Sequence, residues 1–194
     1  VEPLYAFNGK RLWNQVFFTD VRVPVGNRLG EEDRGWSVAK SLLGDERLMV
    51  SRVAENSRLL ARLRELAGTA PDGAQPVGAS HAMQRKIAEL DIRLRALETT
   101  SLRLLTTVDE GRQVGAEPSM LKLRGSTLVQ AFDELLFETA GYWGLAQDGG
   151  GATPPVGPRE LEYVASGMFH HRGYTIAGGS SEIQRNIIAK EVLG

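Results

Sequence analysis

The sequence contains no cysteine, which excludes disulfide bonds and thiolate metal sites. It also has no apolar run long enough to span a bilayer and no signal-peptide pattern at its start. An excess of one charge is lacking too, because 23 basic and 24 acidic residues leave a net charge of −1. Such a chain has no global field that attracts nucleic acid or an anionic membrane. These absences predict a globular, cytoplasmic protein without a membrane span or a nucleic-acid partner.

Helical periodicity dominates the sequence from residue 35 onward. Apolar residues recur every three or four positions over 35–67, which predicts one long helix. A heptad pattern over 83–108, with Ser101 as its one polar member, predicts a second helix. The third predicted helix covers 118–140 and carries Gly125 at its middle, where glycine costs about 1 kcal/mol relative to alanine. That glycine predicts close packing of another segment against the helix.

The remaining stretches predict short elements and loops. Glycine and proline mark loops at 68–79, 111–115 and 144–157, a short helix is predicted over 158–169, and a terminal helix follows. Long helices with short connections indicate an all-α fold, an up-and-down helical bundle.

The N-terminal residues differ from the rest, because Leu12-Trp-Asn-Gln-Val-Phe-Phe18 is aromatic and β-branched. They predict at most a short hairpin, a β remnant at the start of the bundle. An isolated hairpin is marginal in water. We therefore expect Trp13, Phe17 and Phe18 to be disordered or to form an exposed apolar patch.

The last stretch places Gly178 and Gly179 before a helix start. Glycine lets a ligand or another backbone approach closely. Ser180 or Ser181 can cap the helix, and Ser181 with Gln184 fits a capping box. The first turn then offers free N–H groups at the positive end of the helix dipole. The residues alone leave open an ordinary helix start or an anion-binding turn. We expect an apolar stripe to dock the helix, formed by Ile183, Ile187, Ile188 and Val192.

A second candidate lies within the first predicted helix, in the string Leu42-Leu-Gly-Asp-Glu-Arg-Leu-Met-Val50. Apolar residues flank Glu46, and a carboxylate facing an apolar cleft has a raised pKa, which suits a general base. The alternative is a solvated face on which Glu46 forms an ordinary ion pair with Arg47. The residues alone do not decide between these two interpretations.

Two strings resemble the acyl-CoA dehydrogenase family. Thr175-Ile-Ala-Gly-Gly-Ser-Ser-Glu-Ile-Gln-Arg-Asn-Ile-Ile-Ala189 is similar to its C-terminal signature. Val16-Phe-Phe-Thr-Asp-Val-Arg-Val-Pro-Val-Gly-Asn-Arg-Leu-Gly-Glu-Glu-Asp-Arg-Gly-Trp36 is similar to the segment that leaves its central β-domain. The resemblance implies the end of that β-domain over 1–32 and the C-terminal helical domain over 33–194. It also implies that the chain is a fragment, which alone would not hold flavin tightly.

The resemblance further implies FAD-dependent α,β-desaturation of an acyl-CoA thioester. Most relatives carry the catalytic glutamate at the place of Gly178, where this chain has no side chain. In a minority, similar to the isovaleryl and long-chain enzymes, the base stands at the place of Glu46. Glu46 would then remove the α-proton, the β-hydrogen would leave as hydride to flavin, and the Gly178 N–H would bind the thioester oxygen. The acyl chain, fatty or steroid, stays open.

Further roles follow from the same resemblance. Arg47 would hold the base or the thioester region. Gly179, Ser180 and Glu182 would contact FAD. An electron-transferring flavoprotein is the implied electron acceptor. The implied assembly is a homo- or hetero-oligomer, commonly a tetramer.

The chain also departs from the family pattern at two flavin-contacting strings. An Arg-x-x-Phe-Gly string is replaced by Arg62-Leu-Arg-Glu-Leu-Ala-Gly68, in which Arg62 or Arg64 could substitute. A Gln-Ile-x-Gly-Gly string is replaced by Phe137-Glu-Thr-Ala-Gly141. Both strings serve flavin contacts across a subunit interface in relatives. The departures therefore leave open an alternative, a non-catalytic assembly subunit of a heteromeric enzyme.

Overall fold

A computed structural model describes residues 1–46, 51–69, 71–72, 75–146 and 157–194, and gives only the backbone of residues 41–46, 71 and 72. Two short strand pairs and six α-helices make up this part of the chain. In chain order they are β1 (Glu2–Tyr5), β2 (Arg11–Gln15), α1 (Gly35–Glu46), α2 (Val53–Thr69), β3 (Pro71–Asp72), β4 (Gln75–Pro76), α3 (His81–Asp109), α4 (Glu117–Ala140), α5 (Val164–His171) and α6 (Ser181–Leu193). None of the helices described is both long and apolar enough to cross a membrane.

Helices α2, α3 and α4 form the core of the bundle, and the all-α fold class is confirmed. The heptad prediction is confirmed in α3, whose inward positions are buried and bring five long apolar side chains to the core. Phe132 of α4 is fully buried among them. The buried members of α3 are Met83, Leu90, Leu94, Leu97 and Leu104. Burial of such side chains contributes about 1.5–3 kcal/mol each.

Gly125 allows another backbone segment to approach α4 closely, as its place in the middle of a helix predicted. A Cβ built on this residue would lie 2.1 Å from the carbonyl oxygen of Ser51. Asn56 fixes the same contact by donating from Nδ2 to the carbonyl oxygen of Gly125 at 3.3 Å. Ser101, the polar member of the heptad, donates to Ser51 Oγ at 3.5 Å. Any larger residue at 125 would separate α4 from the chain that leads into α2.

The single helix predicted over 35–67 is wrong, because α1 ends at Glu46 and α2 begins at Val53. Arg52 has a φ of 54°, a left-handed conformation that no right-handed helix can contain. The sequence gives no signal for this break, since arginine is a good helix former. Glu46 is thus the last residue of α1, and Arg47 lies outside the described residues.

The N-terminal hairpin pairs β1 with β2 in antiparallel register and packs on α5. Asn8 Nδ2 donates to Ser166 Oγ at 3.3 Å, and Phe7 meets Phe169 edge to face with ring centroids 4.9 Å apart. The exposed patch that the sequence predicted is present, because its three aromatic members are 52–80% exposed. They are Trp13, Phe17 and Phe18.

Two predictions about the last helices are corrected by the structure. The helix predicted over 158–169 begins only at Val164, because Tyr163 is left-handed with a φ of 71°. The apolar stripe predicted to dock α6 does so only in part, since Ile187 and Ile188 are half-buried but Ile183 is 52% and Val192 69% exposed. Helix α6 instead packs on α4 through its first turn, where the polar residues Ser181 and Gln184 are buried.

Candidate active site

The glycine turn before α6 depends on backbone conformations that favour glycine. Gly178 has a φ of 71° and Gly179 a φ of 90°. A Cβ on Gly179 would lie 2.4 Å from Nε2 of Gln184. The same Nε2 donates to the carbonyl oxygen of Gly178 at 3.1 Å. The turn is therefore shaped by its glycines and held by a side chain of the following helix.

Ser180, and not Ser181, is the N-cap of α6. Its hydroxyl oxygen accepts a hydrogen bond from the backbone N–H of Ile183 at 3.4 Å. The capping box of Ser181 with Gln184 is wrong, because Gln184 reaches back to the turn instead. Ser181 is 6% exposed, and its hydroxyl has no hydrogen-bond partner among the residues that the structure describes. A buried, unused hydroxyl thus lies at the start of the helix.

Two charged side chains lie near this helix start. Glu182 is fully exposed, and its own backbone N–H and the Ser180 hydroxyl lower the pKa of its carboxyl. Lys122 of α4 is 3% exposed, and its ammonium group has no hydrogen-bond partner within the described part of the chain. Burial lowers the pKa of Lys122 and the charge of Arg52 lowers it further, whereas Glu182 raises it. A lysine without a hydrogen-bond partner among the described residues is therefore buried close to the first turn of α6.

A set of interacting polar side chains, which we call the polar junction, joins the start of α2 and α4 to the segment that precedes the glycine turn. Its members are Arg52, Glu55, Asp133, His171 and Tyr174. His171 Nδ1 donates to Asp133 Oδ2 at 2.7 Å, and its Nε2 lies 3.4 Å from Glu55 Oε1. Arg52 donates to Glu55 Oε2 at 2.9 Å, and the Tyr174 hydroxyl donates to Glu55 Oε1 at 3.0 Å. Glu55 thus binds three partners with its two oxygens.

The charges in the polar junction stabilise one another. Burial alone would raise the pKa of Glu55, but hydrogen bonds from His171, Arg52 and Tyr174 lower it to about 2. Burial alone would lower the pKa of His171, but Asp133 and Glu55 raise it to about 9. Burial raises the pKa of Asp133, against the effect of His171, and burial with Glu55 raises the pKa of Tyr174 to about 12. At neutral pH the junction therefore holds an anionic Glu55 beside a cationic His171.

The sequence predicted only part of this arrangement. The structure brings Gly178, Gly179, Ser180 and Glu182 together at one helix start, as their adjacency in the sequence required. The side chain of Glu46 is not described, so its predicted role as a base is untested. The role of Arg47 falls outside the described residues as well.

The sequence patterns did not reveal the polar junction. Its pairs join residues 38 and 119 positions apart, a separation that no local pattern reveals. Across the described ranges, no three His, Cys, Asp or Glu residues are grouped so that they could hold a metal ion.

The two arginines proposed as substitutes for a flavin-contacting residue both have partners within this chain. Arg62 donates to the carbonyl oxygen of Glu162 at 2.8 Å. Arg64 forms an ion pair with Asp91 of α3 at 2.7 Å. Residues 137–141 form the end of α4, where Glu138 pairs with Lys86. These contacts tie helices of the bundle together.

Comparison with known proteins identifies the family. The family described as acyl-CoA dehydrogenase, C-terminal domain, matches residues 33–193 of the sequence. The chain therefore belongs to the acyl-CoA dehydrogenase family, as its two signature strings predicted. The match extends over the residues assigned to the helical domain, and the boundary at residue 32 stays a prediction.

Relatives match the chain along almost its whole length. Acyl-CoA dehydrogenase FadE26 of Mycobacterium tuberculosis is 28% identical over 92% of this chain and 44% of its own length. The solved ChsE4-ChsE5 complex from the same organism matches 99% of this chain and 49% of its own with 27% identity and a TM-score of 0.78. PigA, solved with FAD and proline, matches 99% of this chain and 48% of its own at 21% identity and a TM-score of 0.79, which supports the fold. This chain thus spans about half the length of these relatives.

Proposed function

We propose that the protein carrying this chain is an FAD-dependent acyl-CoA dehydrogenase that desaturates an acyl-CoA thioester between its α- and β-carbons. Family membership over residues 33–193 is the observation that carries the proposal. The relatives named as acyl-CoA dehydrogenases support the oxidoreductase class. The acyl chain is proposed only as a class, a fatty or steroid side chain linked to CoA through a thioester.

Glu46 is the proposed base that removes the α-proton. The glycine turn offers no carboxylate, because Gly178 and Gly179 have no side chains. Glu46 lies at the end of α1, within a string whose neighbours at 42, 43, 49 and 50 are apolar. An apolar surrounding raises the pKa of a carboxyl towards neutrality, where general-base catalysis is most effective. Arg47, next in the chain, is proposed to hold the base or the thioester.

The thioester oxygen is proposed to bind at the glycine turn. Removal of the α-proton places negative charge on that oxygen, which needs hydrogen-bond donors to be stabilised. The backbone N–H of Gly178 is the proposed donor, close to the positive end of α6. Because its φ of 71° favours glycine, a side chain at this position would strain the donor as well as fill the space beside it.

The residues at the start of α6 fit an anionic cofactor such as FAD. The buried Ser181 hydroxyl and Lys122 ammonium are both without partners in the described structure, and an anion would satisfy them. Gly179, Ser180 and Glu182 are the residues proposed to contact FAD there. When bound, FAD supplies the acceptor for the hydride that leaves the β-carbon. An electron-transferring flavoprotein is the proposed acceptor of the electrons.

A second candidate function is a non-catalytic assembly subunit in a heteromeric enzyme. Two observations favour it, the departures at 62–68 and 137–141 and the two-protein composition of the solved ChsE4-ChsE5 complex. Arg62 and Arg64 both bind groups within the bundle. In this function the chain would act by packing against a homologous subunit that holds the base. Either function implies an oligomer.

The test compares Glu46→Gln with wild type in the complete protein, co-expressed with any homologous neighbour. Flavin absorbance is followed under anaerobic conditions after addition of fatty and steroid acyl-CoA thioesters. Glu46→Gln is expected to bind flavin but to slow its reduction by about 10²–10⁴-fold, the usual contribution of a general base. Glu32→Gln is the matched control, because Glu32 is exposed and forms only a surface pair with Arg28.

Other outcomes separate the two functions. If the thioester reduces the flavin equally fast in wild type and in Glu46→Gln, the base lies elsewhere. If neither binds flavin nor responds to any thioester, the assembly function is the better one.

A further inference from the structure

The polar junction connects the two segments that the proposed active site requires. Arg52 follows Glu46 and Arg47 closely in the chain and precedes α2. Tyr174 lies in the short 3-10 helix Arg172–Thr175, just before the glycine turn. The two segments are far apart in sequence, so only tertiary contacts can fix their relative position.

Arg52 is held in an uncommon conformation by contacts on both its backbone and its side chain. Its φ of 54° costs on the order of 1 kcal/mol for a residue with a Cβ. Its carbonyl oxygen accepts a hydrogen bond from Asn56 Nδ2 at 2.9 Å. Its guanidinium carbon lies 3.4 Å from the centroid of the Tyr174 ring, a cation–π contact. These contacts therefore fix the position of the chain where it enters α2.

Glu55 bridges the same two residues. One of its oxygens accepts from Arg52 at 2.9 Å, and the other accepts from the Tyr174 hydroxyl at 3.0 Å. Arg52, Glu55 and Tyr174 thus form a closed triangle of two hydrogen bonds and one cation–π contact. The side chains of Arg52 and Glu55 are only 27% and 22% exposed, so solvent screens the triangle weakly.

The residues just before Tyr174 are fixed to α4. His171 donates to Asp133 at 2.7 Å, and its carbonyl oxygen accepts from Gln130 Nε2 at 3.1 Å. The next residue, Arg172, donates to Glu134 at 2.8 Å. Three side chains of α4 therefore hold the segment that leads into the glycine turn. With that segment fixed, the triangle ties the start of α2 to the segment that leads into the glycine turn.

We propose that Arg52, Glu55 and Tyr174 form a clamp that aligns the start of α2 with the glycine turn at Gly178, and so act as positioning residues for the reaction. The inference rests on the proposed function, since it takes the Gly178 N–H as the oxyanion donor and Glu46, six residues before Arg52, as the base. None of the three residues is proposed to touch the substrate. Their effect is on geometry, where a misplacement of about 1 Å can cost about 10²-fold in rate.

The first experiment measures catalysis in the complete, flavin-loaded protein. Tyr174→Phe keeps the ring under Arg52 but removes the hydrogen bond to Glu55. We expect kcat to fall about 10- to 100-fold with KM for the acyl-CoA changed less than about twofold, because alignment acts on the reacting atoms and not on binding. Tyr142→Phe is the matched control, since Tyr142 is 79% exposed, and it is expected to change neither parameter.

A substrate analogue isolates proton removal from hydride transfer. A thioester in which sulfur replaces the β-carbon cannot be desaturated, but its α-protons exchange with D2O when a base removes them. The exchange rate, followed by NMR, is expected to fall in Tyr174→Phe by the same factor as kcat. Glu55→Gln is expected to lower it as well, and the double variant is expected to lose less than the product of both losses, because the two residues share one contact.

The second experiment does not depend on activity. Amide hydrogen exchange is compared between wild type and Tyr174→Phe, with peptides covering 41–56 and 174–184. A clamp predicts faster exchange in both segments, including the one far from residue 174 in sequence, and unchanged exchange in α3. Faster exchange confined to 174–184 would overturn the clamp, as would unchanged kcat and α-proton exchange in Tyr174→Phe.

The two experiments separate failure of the clamp from failure of the proposed function. A wild type that neither desaturates nor exchanges α-protons with any thioester overturns the proposed function and, with it, the role of the clamp in catalysis. Normal turnover in wild type with no coupling between the two segments overturns the clamp alone.

Discussion

The bundle core and the polar junction both join α2 to α4, but by different means. In the core, α2, α3 and α4 meet through leucines and Phe132, whose burial stabilises without regard to direction. In the junction, Glu55, Asp133 and His171 meet through hydrogen bonds whose geometry must be right. The core therefore tolerates small shifts between helices, whereas the junction fixes one arrangement.

The largest expected effect comes from the core. Phe132→Ala removes a fully buried ring from α4, and we expect a loss of about 3–5 kcal/mol in the free energy of unfolding. Urea denaturation followed by circular dichroism measures it. Phe137→Ala, on the same helix but only partly buried, is expected to cost clearly less. Equal costs would show that burial is not what separates the two positions.

The contact at Gly125 links the core to the junction, and it gives the next largest effect. Gly125→Ala places a Cβ 2.1 Å from the carbonyl oxygen of Ser51, so the chain before α2 must shift, at about 1–3 kcal/mol. Gly68→Ala is the matched control, because nothing lies within 4 Å of a Cβ there and the residue is in α2. That variant is expected to stabilise by about 0.5–1 kcal/mol. Thermal unfolding of both variants measures this: the Tm is expected to fall in Gly125→Ala and to rise in Gly68→Ala.

Unlike the core, the junction is expected to lose stability both as pH rises and as pH falls. The raised pKa of His171, about 9, means that its contribution is complete below about pH 6.5 and is lost as pH rises through 9. The lowered pKa of Glu55, about 2, means that its contribution is present above about pH 4.5 and is lost on acidification towards 2. Asp133 has a raised pKa and partly offsets the acid loss. We expect the contribution of the junction to the free energy of unfolding to be largest between about pH 4.5 and 6.5.

His171→Gln tests the alkaline loss directly. The variant leaves Asp133 and Glu55 without their shared cation, which we expect to cost about 2 kcal/mol at pH 6. It should also flatten the decline in unfolding free energy between pH 6.5 and 9, measured by urea titrations across that range. His81→Gln is the control, since His81 is exposed at the start of α3, and it should keep the wild-type profile. An unchanged alkaline decline in His171→Gln would contradict the assignment. His170 and Tyr174 also face this imidazole and are left in place.

The smallest effect expected is at the cap of α6. Ser180→Ala removes the hydroxyl that accepts from the Ile183 N–H, at about 1 kcal/mol. Ser181→Ala removes a buried hydroxyl that has no partner among the described residues, and it is expected to change stability by less than about 0.5 kcal/mol. Denaturation midpoints of the two variants distinguish them. A larger loss in Ser181→Ala would mean that Ser181, not Ser180, supports the helix start.

The sequence predicted those parts of the fold that repeat. The heptad of α3 is periodic, so burial on one face follows from spacing alone. The same reasoning succeeded only in part for α6, whose stripe is exposed at Ile183 and Val192, because periodicity shows that a face is apolar but not what covers it. It also failed at Arg52, where a left-handed residue ends the predicted long helix.

The candidate site also has one part that the sequence predicted and another that it did not. Its glycine turn, cap and signature are consecutive residues, so the sequence alone determined that they lie together and that the chain belongs to its family. The polar junction unites residues from α2, α4, α5 and the segment after it, and only the tertiary structure decided that they meet. The physical reason is that apolar burial depends on composition along one helix face, whereas a hydrogen bond depends on the positions of two atoms. Those positions are set by how the helices pack.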